Sequence, residues 1–133
     1  MPIVIDASAL AEIVLRSERA ASVEALLDDD VIVAPDIVGA EVLSVVRGLL
    51  LRGRIDEEVA TRSVDNLASA PVRRMTTEHL VHHVWSCRSN LTPYDATYVT
   101  LARAAGAPLV TLDARLARAP ALGVEVRCPL TCP

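Results

Sequence analysis

Short apolar runs, separated by longer segments with helical periodicity, constrain the fold most. The runs IVID (3–6), VIVA (31–34) and PLVTLD (108–113) are rich in β-branched residues and do not alternate with polar ones. Such runs are typical of strands buried on both faces, and their alternation with helical segments predicts a parallel α/β sheet flanked by helices. VRRM (72–75) predicts a weaker third strand and VEVRC (124–128) an edge strand.

The segments between the strands carry start and stop signals for helices. The predicted helices are 8–29 with a break near Ser17, 35–53, 56–69 with Asp56 as N-cap, 77–89, and 92–106. The last is the best marked, because Thr92 stands at the N-cap, Pro93 at the first helical position and Gly106 at the C-cap. The chain has 133 residues, 52% of them hydrophobic, and we predict a single domain over 1–133.

Composition excludes several functions. All 13 basic residues are Arg, and without Lys the chain has neither a Walker A loop nor a Schiff-base amine. The net charge of -4 gives no bulk attraction to nucleic acid.

The first residues do not resemble a signal peptide and no apolar segment is long enough to span a bilayer, so we predict a cytoplasmic protein without membrane contact. Cys128 and Cys132 form either a thiol pair or part of a frayed terminus.

Two of the predicted strands run into an acid. Asp6 follows the first strand and Asp113 the fourth. Ligands of parallel sheets bind beyond the carboxyl ends of the strands, so these carboxylates meet if the two strands are neighbours. The alternative is that each acid only caps the helix after it, and Ser8 is a second candidate for the first cap.

Two further acids lie on predicted helices. Glu41 shares a helix row with apolar neighbours, among them Ile37 and Val38. A buried carboxylate is costly unless it is paired or holds a cation, so Glu41 pairs with an Arg or belongs to a cation site. Asp95 stands three residues after Thr92, where an acid also favours the helix start. Tyr94 and Tyr98 are predicted to hold this helix start against the sheet.

One explanation covers all four acids. Clusters made only of oxygen ligands suit the hard cations Mg²⁺ and Mn²⁺. About four negative charges would be balanced by two divalent ions. Metal ions held there would activate a water and stabilise an in-line displacement at phosphorus.

The acids also lie in recognisable motifs. VIDASAL, PDIVGAEVLSVVRG, LTPYDATYVTLA and APLVTLDARLA resemble the four acidic motifs of PIN-domain ribonucleases, and most of all those of VapC-type toxins from prokaryotic toxin–antitoxin pairs. The motifs have the family's order and spacing over the whole chain. The resemblance implies a three-layer fold with a parallel sheet of four to five strands in the order 3-2-1-4-5. It assigns catalysis and metal binding to Asp6, Glu41, Asp95 and Asp113, with Ser8 and Thr111 as supporting hydroxyls.

The resemblance also implies an activity and partners. These are Mg²⁺- or Mn²⁺-dependent endonucleolytic cleavage of structured RNA such as tRNA or rRNA, a toxin role in a type II toxin–antitoxin system, a small VapB-type antitoxin and a homodimer. Arg115 is a candidate contact for RNA phosphate, with a surface ion pair as its alternative. The competing hypothesis for the whole chain is a catalytically inactive PIN-like module that binds proteins. A phosphoacceptor domain is disfavoured because it normally uses a Lys.

Two other features have open interpretations. His79 and His83 have the spacing of a helical metal pair, and His82 lies between them, but a polar helix face is the simpler interpretation. The run Leu49 to Leu51 belongs either to the core or to a groove for a partner helix.

Overall fold

The computed structural model describes residues 1–28, 30–119 and 122–129. The strands are β1 (Pro2–Ile5), β2 (Val31–Pro35), β3 (Val72–Met75), β4 (Leu109–Val110) and β5 (Val126–Arg127). They form one sheet in the order β3-β2-β1-β4-β5, and each neighbouring pair is parallel. The parallel α/β sheet and its order 3-2-1-4-5 are therefore confirmed.

Helices cover the sheet on both faces. They are α1 (Ala7–Leu15), α2 (Ala20–Leu27), α3 (Val38–Leu51), α4 (Glu57–Ser69), α5 (Val81–Ser86), α6 (Pro93–Ala105) and α7 (Ala114–Arg118). Helices α1 to α4 pack together, while α5 packs on α6 and α6 lies on β1, β2 and β4. Because crossovers between parallel strands are right-handed and the strand order reverses after β3, the two groups of helices take opposite faces.

The centre of the sheet is fully buried, as the unbroken apolar runs predict. The side chains at 0% exposure in its two central strands are Ile3, Val4, Ile5, Leu109 and Val110. The register pairs Ile5 with Val110, so Asp6 and Thr111 follow at the same edge of the sheet. Strands β1 and β4 are also where the strand order reverses, which is the place where parallel sheets bind ligands.

The fourth strand is shorter than predicted and ends at Val110 instead of running into Asp113. The Thr111 N–H still bonds to the Arg127 carbonyl of β5 at 3.1 Å, but the two N–H groups after it bond to side chains, so the pairing with β1 does not continue. The Leu112 N–H donates to Ser8 Oγ at 2.9 Å, and the Asp113 N–H donates to Thr111 Oγ1 at 2.9 Å. These side-chain acceptors therefore turn the chain away from β1.

Most predicted helix signals are confirmed. Asp56 accepts from the Val59 N–H at 2.8 Å and caps α4. Thr92 caps α6, and Gly106 ends it with a left-handed backbone at φ 61°. The break near Ser17 separates α1 from α2. Arg16, which has a left-handed backbone at φ 53°, ends α1.

Two helix predictions need correction, and one helix was not predicted. The second predicted helix begins at Val38, because Pro35 still pairs with Met75 in the sheet. The segment predicted as 77–89 is a 3₁₀ turn at Glu78–Leu80 followed by the short helix α5. Helix α7 was not predicted from periodicity, since its five residues cover little more than one turn.

The three histidines and the leucine run differ in how far they are exposed. His79, His82 and His83 are exposed, as a polar face requires. Leu49 and Leu50 are half-buried and Leu51 is 66% exposed, so the run is shared between core and surface.

Within the described ranges no helix has the length and apolar character to cross a membrane. Cys128 is buried, and Cys132 lies outside the described residues.

Candidate functional site

Asp6 lies at the carboxyl end of β1, where it is 7% exposed and caps α1. Its Oδ1 accepts from the Ala9 N–H at 3.0 Å and from the Ser8 hydroxyl at 2.6 Å. Its Oδ2 accepts from the Thr111 hydroxyl. The capping prediction for Asp6 is thus confirmed, while Ser8 is wrong as a cap because it lies inside α1.

Ser8 and Thr111 connect the ends of β1 and β4. Each hydroxyl donates to Asp6, and each accepts a backbone N–H from the segment after β4. The two hydroxyl oxygens are 3.4 Å apart. The predicted supporting hydroxyls therefore hold the Asp6 carboxylate and the turn that carries Asp113 in one network.

Asp113 caps α7 and binds an arginine of the same helix. Its Oδ1 accepts from the Arg115 N–H at 2.9 Å. The Arg115 guanidinium adds Nη2 to Oδ2 at 3.0 Å and Nε to Oδ1 at 3.3 Å. The ion-pair alternative for Arg115 is confirmed, and its side chain is 83% exposed. A phosphate contact by the same residue stays a prediction.

Glu41 lies in the first turn of α3 and is half-buried. Its Oε1 accepts from the Tyr98 hydroxyl at 2.8 Å. None of the ion pairs between described residues involves Glu41, so the alternative in which Glu41 pairs with an Arg is wrong. Sequence reasoning assigned Tyr98 only a packing role and did not find this contact.

Asp95 lies in the first turn of α6. Its backbone N–H donates to Thr92 Oγ1 at 3.2 Å, so the cap uses the Asp95 backbone. The predicted packing of two tyrosines is half right. Tyr98 is 2% exposed, but Tyr94 is 62% exposed because the first turn of α6 lies in solvent.

The four acids affect one another electrostatically. Burial raises the pKa of Asp6, the hydrogen bonds of Ser8 and Thr111 lower it, and the charge of Asp95 raises it further. Burial and neighbouring charges also raise the pKa values of Glu41 and Asp95, and hydrogen bonds oppose them. The pKa of Glu41 is raised by burial and by the charges of Asp6 and Asp95, against the hydrogen bond of Tyr98. The pKa of Asp95 is raised by burial and then by the charge of Asp113.

Asp113 behaves differently from the other three. Its pKa is lowered, above all by the Arg115 side-chain hydrogen bonds. Arg115 also acts on Asp95 and lowers its pKa. The pKa of Tyr98 is raised by burial and by its bond to Glu41, so its hydroxyl stays a neutral donor.

The cluster fits a hard cation by its donor chemistry. All four side chains are carboxylates, and bound divalent ions would relieve the repulsion that adds to burial in raising three of their pKa values. As the side chains stand, no group of three or more His, Cys, Asp or Glu in the described segments is arranged to hold a metal ion. The fit therefore rests on the donor set and its charge.

Known proteins give independent matches to this chain. The PIN domain family profile matches residues 3–122. Ribonuclease VapC1 of Mycobacterium tuberculosis is 36% identical over 126 residues, which cover 93% of this chain and 95% of that protein. Ribonuclease VapC12 of the same species is 34% identical over 124 residues, with 93% and 96% covered.

Two solved structures share the fold. VapBC2 from Rickettsia felis, crystallised with a DNA fragment from their promoter, matches with a TM-score of 0.67 at 16% identity, over 96% of this chain and 98% of that one. VapC20 of Mycobacterium tuberculosis, a sarcin–ricin loop cleaving toxin, matches with a TM-score of 0.64 at 20% identity, over 92% and 98%. The full-length matches and the common fold agree: the chain belongs to the PIN-domain family and is related to the VapC ribonuclease toxins.

Proposed function

We propose that the protein is a Mg²⁺- or Mn²⁺-dependent endoribonuclease. The observation that carries the proposal is that Asp6, Glu41, Asp95 and Asp113 stand at the starts of α1, α3, α6 and α7, near enough that neighbouring charges add to burial in raising the pKa of three of them. Asp113 pairs with Arg115, but the other three carboxylates have no ion-pair partner among the described residues, and keeping them together has a cost that a divalent cation offsets. The relatives that are named ribonucleases support the same activity.

Each residue has a role in the proposed reaction. When bound, the divalent cation supplies Lewis-acid chemistry that activates a water and stabilises in-line displacement at phosphorus. The carboxylates of Asp6, Glu41, Asp95 and Asp113 would hold it. Ser8 and Thr111 orient Asp6, because they donate to both of its oxygens. Arg115, exposed beside Asp113, contacts an RNA phosphate and positions the strand.

The biological role we propose is that of a toxin in a type II toxin–antitoxin system. The substrate is a structured RNA such as tRNA or rRNA, and the partners are a small VapB-type antitoxin and a second copy of the chain. The net charge of -4 argues against a protein that coats RNA nonspecifically. The relative described as a sarcin–ricin loop cleaving toxin supports both the toxin role and a folded RNA target. We also propose that residues 1–133 act as one domain in the cytoplasm.

The decisive experiment compares wild type with Asp95→Asn on total RNA in Mg²⁺, in Mn²⁺ and in excess chelator. The Thr92 cap uses the Asp95 backbone, so Asn keeps the helix start while it removes a charge. We expect discrete, metal-dependent fragments from wild type. The variant should cleave at least about 100-fold more slowly, a modest value for the loss of a group that acts on the transition state.

Asp65→Asn is the matched control. Asp65 is an exposed acid on α4, and its substitution should leave cleavage unchanged. Equal cleavage by wild type and Asp95→Asn would point to a contaminating nuclease, and no cleavage by either would reject the proposal. Both results would favour the catalytically inactive protein-binding module.

The toxin role needs a separate measurement. Induced expression of wild type in a bacterial host should arrest growth, and induced Asp95→Asn should not. Normal growth with wild type, at protein levels where purified enzyme cleaves RNA, would retain the nuclease and reject the toxin role.

A further inference from the structure

One carboxylate of the acidic cluster depends on a residue from another helix. Tyr98 of α6 is 2% exposed, and its hydroxyl donates to Glu41 Oε1 on α3 at 2.8 Å. The two residues are 57 positions apart in sequence. The contact therefore joins two helices that reach the cluster from different parts of the chain.

Glu41 needs such a contact more than the other acids do. It has one more rotatable bond than an Asp, so more side-chain freedom must be lost before its carboxylate has a fixed place. Asp6 is held by two hydroxyls and a backbone N–H, and Asp113 by Arg115. Among the hydrogen bonds of the described residues, only that of Tyr98 reaches the Glu41 carboxylate.

Tyrosine suits this task chemically. Its ring is held in the core and its phenol supplies a single neutral donor. An Arg at this place would neutralise the carboxylate and compete with a cation for it. A hydroxyl fixes one oxygen and leaves the negative charge and the second oxygen for a ligand.

We infer that Tyr98 is a positioning residue: its hydroxyl fixes Glu41 Oε1 so that Oε2 and the charge of Glu41 remain for a divalent cation. The inference rests on the proposed function, because it concerns the same cluster. Residues that hydrogen-bond to metal ligands orient them and raise metal affinity, and their loss weakens binding by about 10- to 100-fold.

The test measures Mn²⁺ binding to the full chain, without RNA, by titration calorimetry. Wild type is compared with Tyr98→Phe, Glu41→Gln and the double variant. We expect Tyr98→Phe to weaken Mn²⁺ binding about 10-fold and Glu41→Gln at least as much. The double variant should match Glu41→Gln alone, because Tyr98 acts only through Glu41. Tyr94→Phe, on the same helix but 62% exposed, is the matched control and should bind as wild type does.

A merely structural role for Tyr98 gives another pattern. Loss of the hydroxyl would then weaken Mn²⁺ binding by the same factor in the Glu41→Gln background, and this additivity would overturn the inference. Wild-type affinity in Tyr98→Phe would overturn it as well. Should Tyr98→Phe not fold, Glu41→Asp breaks the contact from the other side while it keeps the charge, and unchanged Mn²⁺ affinity there would also reject the inference.

The two proposals fail in distinguishable ways. If wild type binds Mn²⁺ and cleaves RNA while Tyr98→Phe binds Mn²⁺ equally well, only the role of Tyr98 is rejected. If wild type binds no Mn²⁺, the metal-dependent function is rejected and the role of Tyr98 with it.

Discussion

Asp6 and Asp113 each follow a central strand and cap the helix after it, but their surroundings are opposite. Asp6 is 7% exposed, and its partners are two hydroxyls and a backbone N–H. Asp113 is more exposed, with its side chain at 24%, and its main partner is the Arg115 guanidinium. Burial accordingly raises the pKa of Asp6, whereas the hydrogen bonds of Arg115 lower the pKa of Asp113.

The comparison shows that capping a helix and belonging to a charged cluster are compatible. In both acids Oδ1 accepts the capping N–H, which leaves Oδ2 for another partner. The charge of that partner differs: neutral Thr111 leaves the charge of Asp6 uncompensated, and cationic Arg115 balances that of Asp113. A helix-cap position therefore does not argue against a role in ligand binding.

The largest expected effect on stability comes from removing the Thr111 hydroxyl, which joins Asp6 after β1 to the turn after β4. Thr111→Val keeps the shape of a fully buried side chain but removes a donor to Asp6 and the acceptor of the Asp113 N–H. An unsatisfied buried polar group costs about 1–3 kcal/mol, and we expect the free energy of unfolding to fall by about 2 kcal/mol. Urea unfolding in excess chelator measures it.

Thr100→Val is the matched control for this substitution. Thr100 is a buried threonine whose Oγ1 has no hydrogen-bond partner among the described residues. Removing an unpaired hydroxyl should leave the free energy of unfolding unchanged or raise it. Equal losses in the two variants would mean that the Thr111 network contributes nothing specific.

The sequence predicted the strands and the best-marked helices because these depend on local signals. Unbroken apolar runs identify β1, β2 and β4, and Thr92 and Gly106 mark the ends of α6. The position of Asp6 follows from where its strand ends. The strand order came from the resemblance, since periodicity does not say which strands are neighbours.

The missed features depend on contacts between distant segments. The pairing of β4 with β1 ends at Val110 because the hydroxyls of Ser8 and Thr111 accept the N–H groups of Leu112 and Asp113. The bond from Tyr98 to Glu41 requires α3 and α6 to meet at one particular pair of faces. A helical pattern shows that Tyr98 is buried, but it does not show which carboxylate its hydroxyl reaches.

A smaller effect is expected from Asp6→Asn in metal-free protein. The pKa of Asp6 is raised above its ordinary value of 3.8, so the folded protein holds this proton more tightly than the unfolded chain. The contribution of Asp6 to stability is thus complete below pH 3.8 and is lost as pH rises through the folded pKa. Relative to wild type, we expect Asp6→Asn to have a higher free energy of unfolding at pH 7.5 than at pH 4. This relative gain should shrink as pH falls toward 4.

Asp113→Asn should lower the free energy of unfolding at pH 7.5, which is opposite in sign to the effect of Asp6→Asn. The pKa of Asp113 is lowered, so its contribution to stability is present above its ordinary value of 3.8 and is lost as pH falls through the folded pKa. Urea unfolding in chelator from pH 2.5 to 8 compares the two variants with wild type, since the contribution of Asp113 is lost only below pH 3.8. A gain at pH 7.5 in both would mean that repulsion within the cluster outweighs the Arg115 contact.

The smallest effect on the free energy of unfolding is expected from Arg115→Ala. This variant separates the ion pair of Arg115 with Asp113 from its proposed contact with RNA phosphate. The pair with Asp113 is exposed on the arginine side, so its loss should lower the free energy of unfolding slightly, and by no more than Asp113→Asn does. If Arg115 also contacts phosphate, RNA affinity should fall and the slope of log K against log salt should decrease by about 1. The assay uses the Asp95→Asn background and the RNA that wild type cleaves. Arg118→Ala, on the exposed surface of the same helix, is the control. An unchanged slope in Arg115→Ala would leave Arg115 only its role as the counterion that holds the Asp113 pKa down.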